Sequence, residues 1–153
     1  MKAPTAAISL IERVLFLRQV PLFADLTTSD LERVARIAEE RGYADGEAIA
    51  AEGELGDELH IVVEGVVSVV QNRGGSEHEL ARRTAGDVVG EMSLITHKPR
   101  IASLVASGPA RTIRIGRREF ESMLRERPNV ALAVMRVLAQ RLTEDADRVG
   151  AVT

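Results

Sequence analysis

The 153-residue chain has no cysteine and no tryptophan. Lack of cysteine excludes disulfides, thiolate metal sites and thiol nucleophiles, and it fits a reducing compartment. Aromatic residues are scarce, with one Tyr and three Phe, and none follows Phe120. His60, His78 and His97 are scattered without metal-ligand spacing, so no metal site is expected. No window approaches the ~20 apolar residues that a membrane span needs. The apolar N-terminal stretch Met1 to Leu17 is interrupted by Glu12 and Arg13 and lacks a signal-peptide layout. The expectation is a soluble, cytoplasmic chain with no membrane segment. A basic excess is missing too: 20 Lys and Arg stand against 23 acidic residues, so the overall charge does not point to nucleic acid. Nor is there a nucleophile–base pair or paired-carboxylate motif, which argues against an enzyme.

What is present describes one domain, residues 1–153, long enough to bury a core without staples. Three zones follow one another. Over 8–42 the pattern is helical. Ile8, Leu10, Ile11, Val14, Leu15 and Leu17 recur at helical spacing until Pro21. Ser29-Asp30-Leu31-Glu32 then has the form of a capping box, Leu31, Val34, Ala35, Ile37 and Ala38 make an apolar stripe, and Gly42 reads as the stop. Over 43–115 short Val- and Ile-rich runs alternate with glycines. His60 to Val63 and Val66 to Val70, split by Gly65, read as strand–turn–strand, with further short strands at 79–82, 102–106 and 112–115. Over 117–149 helix returns: a short one around Phe120, Met123 and Leu124 stops before Pro128, and a long one runs from Val130 to Val149. In the latter, Ala131, Met135, Leu138, Leu142, Asp145, Val149 and Val152 form a four–three seam suited to helix pairing. The fold class expected is α+β, a jelly-roll-like antiparallel β-roll flanked by N-terminal helices and two C-terminal helices.

The chemistry concentrates at Asp87-Val88-Val89-Gly90-Glu91-Met92-Ser93-Leu94 and Pro99-Arg100-Ile101-Ala102. A strand ending at Val89 and a tight turn at Gly90 lead into one helical turn, whose free N–H groups suit a phosphate. Arg100, nine positions beyond Glu91, is permanently charged and can grip two phosphate oxygens. A carboxylate beside a phosphate needs a purpose, and a ribose 2′-hydroxyl is a good donor to Glu91. One carboxylate for a sugar and one guanidinium for a phosphate describe a nucleotide site.

Gly-Glu-x-x-Leu, a short loop and Pro-Arg-x-Ala resemble the phosphate-binding cassette of the cyclic nucleotide-binding domain family, which includes catabolite activator proteins, protein kinase A regulatory subunits and cyclic-nucleotide-gated channels. The resemblance extends over about residues 14–148, through Val20-Pro21-Leu22-Phe23, the run from Glu52 to Val62, and Gly65-Val66-Val67-Ser68-Val69. It implies that Glu91 binds the ribose 2′-hydroxyl and Arg100 the cyclic phosphate. Backbone N–H groups near Met92, Ser93, Ile101 and Ala102 complete the cradle beside Gly90. Val69 and Leu80 line the apolar wall, Asp57 orients the cassette arginine, and Arg141 and Asp145 close over the base. Cyclic AMP is the default ligand that the family implies, with cyclic GMP as the alternative, and no further cofactor.

Two positions depart from the family pattern. Ile101 stands where a Ser, Thr or Ala usually follows the arginine; a hydroxyl bond to a charged group is worth about 1.5–3 kcal/mol, so its loss weakens binding about tenfold or more. The bulk of Ile is also expected to crowd the phosphate. At the base end, Asp145 and Ala146 replace a hydroxyl pair. The resemblance implies a sensor module whose C-terminal helices move when ligand docks. Other readings are a degenerate β-roll used for protein interaction or homodimerisation through the C-terminal helix, and the sensor half of a transcription regulator lacking its DNA-binding part. As the chain ends at Thr153, no DNA binding is expected of it. Arg82-Arg83 and Arg117-Arg118 read as solvated faces.

Overall fold

The computed structural model describes residues 8–149, including every side chain except those of Met92 and residues 145–149. Helix α1 (Leu10–Arg18) starts on a reciprocal capping box between Ser9 and Glu12. Helix α2 (Thr28–Ile37) is capped by Thr27, whose hydroxyl accepts from the Asp30 N–H at 3.1 Å. The Ser29–Glu32 capping box expected from the sequence is therefore not the one used, because the helix begins two residues earlier.

Helix α2 also stops well before Gly42. Ala38 is extended, and strand β1 (Glu39–Tyr43) takes residues that the pattern gave to the helical segment. The cause is electrostatic and lies outside the segment itself. Arg13 of α1 donates to the Ala35 and Ala38 carbonyls at 2.7 and 2.9 Å, filling acceptors that an ending helix leaves open. Glu39 then meets Arg114 at 2.9 Å and Glu40 meets Arg111 at 3.0 Å. Both arginines lie on strand β6 (Ser103–Gly116), which pairs with β1.

The remaining strands are β2 (Ala48–Ala50), β3 (Glu58–Arg73), β4 (Ser76–Arg83) and β5 (Val88–Val89). All pairings are antiparallel, in the order β1-β6-β3-β4, with β2 on β6 and β5 on β3. The strand–turn–strand expected around Gly65 is one long strand with irregular register on both sides of Glu64. Gly65 has φ +87° and lies against the β6 backbone at Pro109 and Ala110. It bends β3 without ending it. Likewise the two strands expected at 102–106 and 112–115 are continuous as β6. Gly74-Gly75, both with positive φ, join β3 to β4 in a two-residue hairpin.

The cassette forms helix α3 (Glu91–Thr96), and the chain closes with α4 (Arg117–Glu126) and α5 (Pro128–Val149). Pro128 opens α5, where its missing N–H costs nothing. The main core joins the helices to one sheet face through Phe23, Leu31, Leu59, Ile61, Ile113, Ile115, Phe120 and Val134. A smaller cluster of Val62, Val67, Val89 and Leu104, with Val69 packed on it, fills the opposite face, inside the roll. The architecture is α+β, an antiparallel β-roll flanked by helices.

Two glycine substitutions separate conformational strain from steric clash. Gly108→Ala has a positive φ but open space around the new Cβ, so the expected loss is about 1–2 kcal/mol. Gly65→Ala adds a Cβ 2.8 Å from the Ala110 Cα and should lose clearly more in urea unfolding. Equal losses would remove the close-approach argument.

Candidate functional site

The cassette stands where β5 ends. Gly90 (φ +84°) caps α3 and leaves room for a side chain arriving from the far end of the loop. A Cβ on Gly90 would lie 2.8 Å from the Arg100 Nη1, and one on Gly56 would lie 3.1 Å from its Cζ. The guanidinium occupies that space, with Nη2 donating to the Glu58 carbonyl at 3.3 Å. Backbone bonds fix the loop on both sides of it: Arg100 N–H to the Glu54 carbonyl and Gly53 N–H to the Arg100 carbonyl, each 2.8 Å. Ser93 is buried and accepts from the Gly56 N–H at 3.0 Å while donating to the Lys98 carbonyl at 2.6 Å. Its hydroxyl thus braces the loop internally.

Arg100 is half-buried, and among the described residues it makes no ion pair. Burial pushes its pKa below the ordinary value, while the fields of Glu54 and Asp57 act the other way. A guanidinium still holds its charge at neutral pH. The result is a fixed cation held in a wall of backbone, without the carboxylate that partly buried arginines usually have.

Glu91 is 4% exposed and forms an ion pair with Arg141 of α5, whose guanidinium also donates to the Val88 carbonyl. Two residues expected at opposite ends of a ligand are therefore in contact. Asp57 does not touch Arg100: its side chain, 81% exposed, lies 3.6 Å from Arg117. The Glu58 carbonyl holds Arg100 in its place. Ile101 is 70% exposed, with its carbonyl accepting from Gln71 at 2.9 Å, so its bulk faces solvent, while Ala102 is buried. Val69 joins the inner apolar cluster. Leu80 sits between the residues that β4 pairs with Val69 and Val70, half-buried at a register shift and outside that cluster. The side chains of Met92 and Asp145 lie outside the described residues, as does the Val152 end of the expected seam.

Two functional-looking residues are absent from the expected set. Arg117, expected on a solvated face, ties the cassette to α4. It donates to the Leu94 carbonyl at 2.9 Å and to the Gly56 carbonyl, and lies 3.0 Å from the His97 Nδ1. Only its position at a helix start hints at this, since its partners are backbone carbonyls from distant segments. His60 is fully buried, 3.1 Å from the Thr112 Oγ1. Alternation along β3 was the available signal, since it puts His60 on the same face as Val62.

Cavity size does not choose the site. A cavity of about 400 Å³ lies away from the cassette, between α2 and α4–α5. Two ion pairs cross there, Asp30 with Arg127 at 2.9 Å and Arg33 with Glu126 at 3.0 Å. The cassette instead offers the half-buried Arg100 guanidinium, which makes no ion pair among the described residues.

The same stretch carries a family signature: residues 40–127 match the cyclic nucleotide-binding domain model. The chain belongs to the cyclic nucleotide-binding domain family. It is 33% identical over 114 residues to a cAMP-dependent protein kinase regulatory subunit of Mycosarcoma maydis, covering 71% of this chain and 22% of that protein. Among solved structures it is similar to the Thermus thermophilus catabolite activator protein (TM-score 0.78, 31% identity), covering 85% of this chain and 62% of that one. It is also similar to the Toxoplasma gondii protein kinase A regulatory domain crystallised with cAMP (TM-score 0.76, 26% identity), covering 88% and 50%. This cyclic nucleotide-binding domain thus spans about a quarter of the length of the curated relatives it matches. No helix among the described residues is long and apolar enough to cross a membrane.

Burial, followed by the fields of Arg100 and Arg41, lowers the His60 pKa from 6.5 to about 4. Between those values the unfolded chain binds a proton that the folded chain refuses. Stability should therefore fall as pH drops from about 6.5 toward 4, and this contribution levels off below. His60→Phe should flatten that part of the curve by up to about 3 kcal/mol, read from urea unfolding at pH 7 and 4.5. An identical acid sensitivity in the variant would rule out this role.

Proposed function

We propose that this domain is a cyclic nucleotide receptor module, with cAMP as its first ligand and cGMP as the alternative. The observation that carries the proposal is the half-buried Arg100 guanidinium, unpaired among the described residues, beside Gly90 and across the cassette from Glu91. A cyclic phosphate is a singly charged anion that supplies the missing counter-charge, and a bidentate grip uses the planar fork of arginine. The ribose 2′-hydroxyl would donate to Glu91. The similar domain from Toxoplasma gondii was crystallised with cAMP, which supports that choice of nucleotide.

The output follows from Glu91 having two claimants. Arg141 holds it here from α5. A ribose hydroxyl entering that carboxylate either shares it with Arg141 or displaces it, and either way the position of α5 becomes coupled to the ligand. The shift available is set by the difference in ligand affinity between the two arrangements. The role is regulatory, and catalysis has no part in it.

Isothermal titration with cAMP and cGMP tests the reading: saturable one-to-one binding is expected, and no heat or thermal shift at near-millimolar nucleotide would sink it. Arg100→Ala should lose most of the affinity while the fold persists. Ile101→Ser, by restoring a hydroxyl next to the phosphate, should tighten binding about tenfold.

A second copy of the chain is the partner that α5 favours. The seam expected at Ala131, Met135, Leu138 and Leu142 is divided: Leu138 packs on the core, whereas Leu132, Met135 and Leu142 stand exposed on the outer side. An apolar row at three- and seven-residue spacing suits helix pairing. Light scattering should show a homodimer that Leu142→Glu with Met135→Glu disrupts. A monomer at high micromolar concentration would discount this surface.

A further inference from the structure

The inner face of the roll carries a titratable ring that the nucleotide reading leaves unused. His60 has its Nδ1 3.1 Å from the Thr112 Oγ1, and its Nε2 is buried without a hydrogen-bond partner. The sheet register places it opposite Val89, the residue just before Gly90. Gly90 is the glycine whose missing Cβ leaves room for the Arg100 Nη1. On the other side, the Arg100 Nη2 donates to the carbonyl of Glu58, two residues from His60 on the same strand. The guanidinium is thus bracketed by the two segments that hold the imidazole.

The charged groups around His60 are finely opposed. On β3 the Glu58 Oε1 lies 3.8 Å from the Nε2. On β6, Arg114 pairs with Glu58 and so draws on the same carboxylate. Arg41 of β1 and Arg100 of the cassette act on the ring with positive fields. The two residues of β5, Val88 and Val89, add no charge. A proton on the Nε2 would have one carboxylate in its favour, and against it stand burial and two cations.

We infer that His60 is a further residue of the anion site, and that docking of a phosphate on Arg100 draws a proton from solvent onto the His60 imidazole, whose Nε2 faces Glu58. The inference rests on the nucleotide reading above. The ligand's single negative charge offsets the field of Arg100, one of the two cations that oppose a charge on the ring, so the imidazolium gains in the bound state. The phosphate itself stays unprotonated, and the one new bond is N–H. With the ring's pKa higher in the bound than in the free protein, binding takes up a proton and affinity rises as pH falls.

The test is cAMP affinity by calorimetry at pH 7.5 and 5.5, in two buffers of different ionisation enthalpy. The wild-type chain should bind about threefold or more tightly at pH 5.5 with fractional proton uptake, within the limit of tenfold per unit of pKa difference. Both effects should vanish in His60→Phe and in His60→Gln, the latter keeping a polar side chain in case the former folds poorly. Binding without a pH slope in the wild type, or a slope that persists in both variants, overturns the inference and leaves the nucleotide reading standing. No binding at either pH overturns both. A ligand-free arm follows the His60 ring by NMR: its titration should move to higher pH in Arg100→Gln, and an unmoved titration refutes the coupling.

Discussion

Holding a guanidinium half inside a protein wall without a carboxylate against it costs desolvation that only an incoming anion fully returns. The local structure of the cassette follows from that constraint at Arg100. A Cβ on Gly90 would meet the guanidinium, and one on Gly56 would meet the Ser93 side chain at 2.8 Å before the guanidinium at 3.1 Å. The Glu58 carbonyl accepts one N–H, Ser93 braces the loop, and backbone bonds to Glu54 and from Gly53 fix where the side chain starts. Glu54 and Asp57 support the charge through space without closing on it. A nearby carboxylate in direct contact would have relieved the cation and consumed the site.

The cassette is joined to the closing helices at two points of different chemistry. Arg117 reaches back from the first residue of α4 to carbonyls at Leu94 and Gly56, so α4 and the cassette loop share one donor. Arg141 of α5 is bound to a carboxylate that a sugar hydroxyl also suits. On the proposed reading the first link would carry α4 with the cassette as a body and the second would be open to competition, since a wholly rigid connection transmits no choice and a wholly loose one transmits no force.

Parts of this were legible in the residues. Gly90, Glu91 and Arg100 could be picked out locally, because a tight turn, a carboxylate and a guanidinium at that spacing suit the nucleotide site proposed above. The long helix expected from Val130 to Val149 follows from periodicity, and begins two residues earlier, at Pro128. The boundary at Ala38 was not legible, since it depends on Arg13 arriving from another helix and on Arg111 and Arg114 some seventy residues on. Gly65 read as a turn because a glycine splits two Val- and Ile-rich runs, yet close packing against β6 shows that it bends a continuous strand. Asp57 was matched to Arg100 by motif, but in the fold it faces Arg117.

The amino-acid sequence by itself determined the class of fold and which charged groups the cassette carries, because both rest on short-range properties: side-chain period, glycine positions and the spacing of one acid from one base. Only the tertiary structure decided the partners of those groups. It left Arg100 without an ion pair among the described residues, set Arg141 on Glu91, and placed His60 within the field of the guanidinium. The physical reason is that charge interactions depend on distance and burial, and both are properties of the folded chain.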